Sequence, residues 1–371
     1  MPALPSLALS DGVVRRDDTL ADGRALFYYD DAGSALPADR ARDARTLDPR
    51  PETATMRHDA LTGEWVSIAA ARQNRVFLPP ADLDPLAPAS PSNPSEVPDR
   101  YDVAVFENRS PSFGPATGDD IDDATDIGDA PIGRTRAAVG RCEVVCFSPE
   151  HEGSLGSQSP ARLRTVVEAW ADRTAALSDM PGIEQVFPFE NRGEAIGVTL
   201  RHPHGQIYGY PYITPRTRRL IDSVERHGPG LFDEILAFES ASERLIARGE
   251  RWSAFVPFAA RWPLELHVMP HRHIADLAET DSAERAELAE LLPRLLQGID
   301  AIYGDPTPYI AAWHQAPVRR HRDIRLTLQI TSPRRAPARL KYLAGSESAM
   351  GAFIGDILPE AQAAAWKEAV R

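Results

Sequence analysis

One order of elements, a strand, then proline and histidine, then a helix and two further strands, can be traced twice along this chain, and that repetition constrains its fold most. In the first copy, Glu143-Val144-Val145-Cys146-Phe147 reads as a strand running into Ser148-Pro149-Glu150-His151. A helix follows. Ser159 suits its N-cap and Pro160 its first position, and Leu163, Val166, Val167, Trp170 and Leu177 fall on one face. A strand at residues 186–189, a turn with Gly193 and Gly197, and the segment 202–208 complete the copy. In the second copy, residues 264–269 form the strand and Pro270-His271-Arg272-His273 follows it. The next helix carries Leu288, Leu291, Leu292, Leu295 and Ile299 on one face, with strands at residues 309–313 and 324–330 beyond it. This pattern predicts an α+β fold of two duplicated halves, each an antiparallel sheet flanked by helices. The alternative is chance agreement between common elements.

Outside the two copies the signals are weaker. The first fifty residues are polar and weakly periodic, which predicts partial disorder at the start. Structure is expected from Met56 onward, where Leu61-Thr62-Gly63-Glu64-Trp65-Val66 reads as a turn feeding a strand. Residues 79–98, rich in Pro, Ser and Asp, read as loop, and residues 101–106 as a strand. The aspartates between 119 and 129 suggest a solvated loop; a calcium site would need EF-hand spacing and a closing Glu, which are absent.

A chain of 371 residues, 43% hydrophobic and 26% charged, is ordinary globular material for one large domain or two. Its formal charge of -13 weighs against a nucleic-acid partner but not against a small phosphorylated substrate held by local arginines. No apolar run is long enough for a membrane span. Cys142 and Cys146, four apart on a strand, would lie roughly 13 Å from each other, too far for a disulfide, which suits a cytoplasmic protein.

The strongest local signal is His202-Pro203-His204-Gly205-Gln206. In an extended segment His202, His204 and Gln206 point to one face, and Gly205 would let a ligand approach the backbone. An imidazole attacks phosphorus well when one ring nitrogen donates its proton to a fixed acceptor and the other carries the lone pair. The neutral amide of Gln206 can hold phosphoryl oxygens without acting as an acid, which suits an intermediate that must outlive hydrolysis. A structural or metal-binding histidine pair is the competing reading of the same spacing.

The run Phe189-Glu190-Asn191-Arg192-Gly193, Ile196-Gly197-Val198-Thr199 and His202-Pro203-His204-Gly205-Gln206 resembles the active-site segment of galactose-1-phosphate uridylyltransferases, a family within the histidine triad superfamily. Leu61-Thr62-Gly63-Glu64-Trp65, Val105-Phe106-Glu107-Asn108-Arg109 and Cys146-Phe147-Ser148-Pro149-Glu150-His151 are similar to further family segments. So are Trp313-His314-Gln315-Ala316-Pro317 and Lys341-Tyr342-Leu343-Ala344-Gly345-Ser346-Glu347, and the resemblance spans residues 56–359. It implies an N-terminal uridylyltransferase domain at residues 51–215 and a C-terminal one at 216–371, after the segment 1–50.

The implied reaction passes uridylyl from UDP-glucose to His204 and then to galactose 1-phosphate, with Gln206 assisting. Arg72, Arg75, Asn108, Asn191, Gly197 and Thr199 would contact the nucleotide or its phosphates. Lys341, Tyr342, Ala344, Ser346 and Glu347 would approach the hexose from a neighbouring subunit, which implies a homodimer. The chemistry would need no cofactor. Read without the resemblance, Arg72 and Arg75 are ordinary solvated arginines.

The chain also departs from the family. Where many members hold a structural zinc with Cys-x-x-Cys and two histidines, it has Asp84 and Ala87 beside His151 and His202. At most a degraded site of Asp84, His151 and His202 is expected, one donor short of four. A second metal site of some members keeps only His314 here, because Leu326-Thr327-Leu328-Gln329 stands where two histidines belong. His314, His267, His271 and His273 are then structural or solvated, and Arg201 could bind phosphate or face water. The remaining readings are a related nucleotidyl transferase or phosphorylase and an inactive sugar-nucleotide-binding protein.

Overall fold

The computed structural model describes residues 3–74, 78–118, 125–126 and 132–370. In chain order its elements begin with β1 (Ser6–Ala8), β2 (Val14–Thr19), β3 (Ala25–Asp30), β4 (Thr55–Asp59), β5 (Glu64–Ile68), β6 (Val103–Glu107), β7 (Thr125–Asp126), β8 (Arg134–Ala137) and β9 (Arg141–Cys146). Then come α1 (Pro160–Ser178), β10 (Gln185–Arg192), β11 (His204–Tyr210), α2 (Pro215–His227), α3 (Leu231–Ser240), β12 (Leu245–Arg248), β13 (Trp252–Phe255) and β14 (Leu264–Pro270). The chain closes with α4 (Ser282–Ala301), β15 (Tyr309–His314), β16 (Thr327–Ser332), β17 (Arg334–Ala336), β18 (Arg339–Leu340), α5 (Gly345–Met350) and α6 (Pro359–Ala369).

The fold is α+β, and its two antiparallel halves join edge to edge. A 12-stranded sheet runs in the order β1-β2-β3-β6-β9-β11-β10-β15-β16-β14-β13-β12. Around the β10–β15 seam the order mirrors itself: β9-α1-β10-β11 on one side is matched by β14-α4-β15-β16 on the other. The register repeats too. Gln206 lies between Phe189 and Val144, Gln329 lies between Ala312 and His267, and Phe189 pairs with Ala312 across the seam.

Strand alternation separates the two faces of this sheet. Val145, Val186, Ile207, Leu266, Val268, Leu328 and Ile330 face one core cluster with the apolar stripes of α1 and α4. Ser159 caps α1 by accepting from the Arg162 N–H, with Pro160 in the first turn, and Asp281 and Glu284 form a capping box on α4. Edge-on contacts link Trp170 to Trp313 (6.0 Å) and Trp313 to Trp252 (6.2 Å), tying the two halves together. The opposite face, carrying His204, Gln206 and Tyr208, is left half-open.

Order begins well before Met56. Residues 14–30, read from sequence as part of a loosely ordered segment, form β2 and β3 and extend the sheet through β6. Their polar side chains pair laterally: Arg15 with Asp172 at 2.9 Å, Arg16 with Asp30 at 2.6 Å, and Arg40 with Asp30 at 2.6 Å. Tyr28 and Tyr29 are fully buried. A strand whose charges are satisfied by neighbours shows no apolar alternation, which is why the sequence hides it. Of the acidic run 119–129, only Thr125 and Asp126 are described, as β7; the rest, and the calcium reading with it, lies outside the described residues.

Candidate active site

His204 opens β11, which is held between β9 and β10. The loop joining β10 to β11 turns through Gly193 (φ 97°) and Gly197 (φ 82°), conformations that side chains disfavour. A Cβ at Gly197 would meet nothing within 4 Å, so this backbone is open to the space before His204. Gly205 does something different from what its sequence position suggests. A Cβ there would come within 2.8 Å of the Phe147 ring and 2.9 Å of the Phe189 carbonyl oxygen. The residue makes room for packing on the helix-covered face, because alternation turns position 205 away from His204 and Gln206.

The His204 Nδ1 lies 2.7 Å from the carbonyl oxygen of His202. A carbonyl only accepts, so Nδ1 carries the proton and the lone pair is on Nε2. His202 is buried and locked. Its Nδ1 faces the Asp84 carboxylate at 2.6 Å and its Nε2 faces the Ser148 carbonyl oxygen at 2.8 Å, so the ring is held at both nitrogens. The Tyr101 hydroxyl donates to that same Ser148 oxygen at 2.9 Å. His202 therefore fixes the strand entry, and His204 presents a ring whose lone pair lies on Nε2.

Two cavities meet at His204, Gln206 and Thr199. One, about 200 Å³, is also lined by Arg72, Asn191 and Gly197. The other, about 210 Å³, takes Asn108 with an apolar wall of Leu86, Phe106, Val144 and Leu200. Arg72 is steadied by donating to the Ser110 carbonyl at 3.2 Å, and Asn108 Oδ1 accepts from the Ser110 N–H at 2.9 Å. The Tyr208 hydroxyl donates to Gln206 Oε1 at 3.3 Å, which orients the amide. The chain thus brings Arg72, Asn108, Asn191, Gly197, Thr199 and Gln206 around His204; Arg75 lies outside the described residues. Arg201 is exposed and donates to Glu194 at 3.3 Å, away from both cavities.

Sequence reasoning missed the apolar wall. Its signal was present in the register: Val144 pairs with Gln206, and Phe106 pairs with Val144, so all three share the site face. It also missed Arg24, fully buried at the rim of the second cavity and donating to the Glu107 carbonyl at 2.9 Å.

Lys341, Tyr342, Ala344, Ser346 and Glu347 line neither cavity. Lys341 and Glu347 are buried on each other at 2.8 Å, and hydrogen bonds from Lys341 and from the Ile354 and Ala344 N–H groups hold the Glu347 carboxyl down at about 2. Tyr342, Ala344 and Ser346 are exposed.

Asp84, His151 and His202 have donor atoms within 4.8 Å of one another, a grouping able to hold a metal. The three already satisfy each other, however, since Asp84 Oδ2 accepts from both Nδ1 atoms, at 2.8 Å from His151 and 2.6 Å from His202. Burial raises the Asp84 carboxyl, but the hydrogen bonds from His202, His151 and the Leu86 N–H outweigh it and set it at about 2. Among the described residues the grouping supplies three donors, one short of the closed four-ligand shell of a structural zinc.

The chain matches the family described as galactose-1-phosphate uridyl transferase, by its N-terminal domain over residues 45–214 and its C-terminal domain over residues 222–331. It is 45% identical to the galactose-1-phosphate uridylyltransferase of Streptomyces lividans over 309 residues, 80% of this chain and 79% of that one. It is 32% identical to that of Thermotoga maritima, over 84% of this chain and 98% of the other. Among solved structures, one described as a uridylyltransferase superposes with a TM-score of 0.74 at 31% identity, covering 85% of this chain and 98% of the other.

Proposed function

The chain belongs to the galactose-1-phosphate uridylyltransferase family, and we propose that it transfers uridylyl from UDP-glucose to galactose 1-phosphate by way of His204. The observation that carries this reading is the hydrogen bond from His204 Nδ1 to the His202 carbonyl, beside an amide and an arginine in one cavity. The Nε2 lone pair attacks the α-phosphorus, an N–P bond forms, and the bond to glucose 1-phosphate breaks with the electron pair leaving on its oxygen. A phosphate oxygen of galactose 1-phosphate then attacks the same phosphorus, the N–P bond breaks, and UDP-galactose leaves.

In this reading Arg72 and Gln206 take the charge that builds on the phosphoryl oxygens, by charge-assisted and neutral hydrogen bonds respectively. Asn191, Gly197 and Thr199 position the diphosphate, and Asn108 with the apolar wall of Leu86, Phe106 and Val144 receives the base and ribose. Arg75 shares the phosphate-binding role. The exposed Tyr342, Ala344 and Ser346 reach the hexose bound to a second copy of the chain, with the Lys341–Glu347 pair bracing them from behind, so the working enzyme is a homodimer. Asp84, His151 and His202 act as a hydrogen-bonded brace, and no step passes through zinc. Among the described residues no helix is long and apolar enough to cross a membrane, and both cysteines are unpaired, which fits a reducing cytoplasm.

A covalent route predicts partial reactions. Labelled glucose 1-phosphate should exchange into UDP-glucose with galactose 1-phosphate absent. Exchange that needs both sugars would contradict the two-step route.

A further inference from the structure

The C-terminal half holds the larger cavity, about 530 Å³, and it occupies the place that mirrors the His204 site. Gln329 is the counterpart of Gln206 in register, and both line their cavities. Phe255 pairs with His267 as Phe106 pairs with Val144. His314, two residues beyond Ala312, stands where Asn191 stands beyond Phe189. Thr327 takes the position of His204, and its hydroxyl is buried and turned to the Arg325 carbonyl at 3.2 Å.

The lining is cationic at the mouth and apolar within. Arg325 is paired with Asp233, and the lining carboxylate Glu239 is engaged by Arg244 at 2.6 Å. Among the described residues Arg216, Arg219 and Arg261 have no carboxylate partner at ion-pair distance. Arg216 donates to Gln329 Oε1 at 2.5 Å, and the Arg261 guanidinium lies 5.5 Å from the centre of the Phe353 ring. The Arg216 side chain keeps contact with solvent at the mouth. Phe232, Phe255, Phe258 and Met269 form the apolar part. Arginines left without carboxylates beside an aromatic wall suit a ligand with a phosphoryl group and a flat apolar portion.

We propose that this cavity is a second, non-reacting site for a nucleoside phosphate, with Arg216 and Arg261 on the phosphoryl group and Gln329 in the role that Gln206 has in the other half. The ligand class rests on the nucleotide reading of the His204 site; the cations and cavity are this half's own. With Thr327 in place of an imidazole, binding here leads to no covalent step.

Equilibrium dialysis of UMP against the full chain tests this. Wild type should bind two UMP per chain. Arg216→Ala/Arg261→Ala should weaken one site at least about tenfold while uridylyl transfer persists. Arg72→Ala/Asn191→Ala should retain the site that the first variant loses, and inorganic phosphate should compete there more weakly than UMP binds. One UMP per chain in wild type, two sites indifferent to Arg216→Ala/Arg261→Ala, or phosphate as tight as UMP would each overturn the proposal. Failure of the His204 reading would appear separately, as a wild type that carries out no uridylyl transfer while it still binds UMP at the site that Arg216→Ala/Arg261→Ala weakens.

Discussion

His204 turns its Nδ1 onto the carbonyl oxygen of His202, two residues back on the same chain, at 2.7 Å. That contact selects the tautomer by geometry alone, because the acceptor cannot give a proton back. His202 can serve as a fixed platform because its own ring is held at both nitrogens, by Asp84 and by Ser148. In the proposed mechanism the buried partner positions, and the half-exposed one reacts.

Gln206 should matter for rate more than for folding, since it is half-exposed and accepts a long hydrogen bond from Tyr208 at 3.3 Å. Gln206→Ala is expected to lower kcat by about 10²–10³ with little change in thermal stability, as for loss of one oxyanion donor. Steady-state kinetics beside a melting curve check this. A variant with unchanged kcat would remove Gln206 from the chemistry.

The brace of Asp84, His151 and His202 should hold without metal. Chelator treatment is expected to leave the melting temperature of wild type where it was. Asp84→Ala, which strands two imidazoles, should cost about 3–5 kcal/mol. A large drop in melting temperature on chelation, reversed by zinc, would show that the three side chains ligate a metal instead.

Glu190 gives the fold a pH dependence. Burial pushes its carboxyl from 4.5 up to about 7, against the opposing effects of the Tyr309 hydroxyl, which donates to it at 2.9 Å, and of Arg192. The folded chain therefore keeps a proton that the unfolded chain releases above 4.5, so this contribution to stability is full below 4.5 and is lost as pH rises towards about 7. Glu190→Gln should flatten that slope, gaining on the order of 3 kcal/mol relative to wild type between pH 4 and pH 8. Urea unfolding at the two pH values measures it, and parallel slopes in both proteins would contradict the assignment.

Much of this was legible in the sequence, for identifiable reasons. α1 and α4 declared themselves through caps and apolar stripes, and β9, β10, β14 and β15 through short β-branched or aromatic runs. The duplication was visible as an order of elements, but the joining of the halves through Phe189 and Ala312 depends on an edge pairing that no local pattern specifies. β2 was hidden because Arg15 and Arg16 are satisfied across strands and helices and not by alternation. Around His204 the polar residues could be read from their motifs. The wall of Phe106 and Val144 could not, because apolar residues on a strand look the same whether they face a core or a ligand. His314 read as structural because Leu326-Thr327-Leu328-Gln329 stands where the resemblance places two further histidines; its place beside Gln329 in the larger cavity follows from the register of β15 with β16.

Intact mass after incubation with UDP-glucose reads out covalent uridylylation of His204. Wild type should gain the mass of one uridylyl group per chain, and His204→Gly should gain none. No gain in wild type with nucleotide bound, or an equal gain in His204→Gly, would contradict the account.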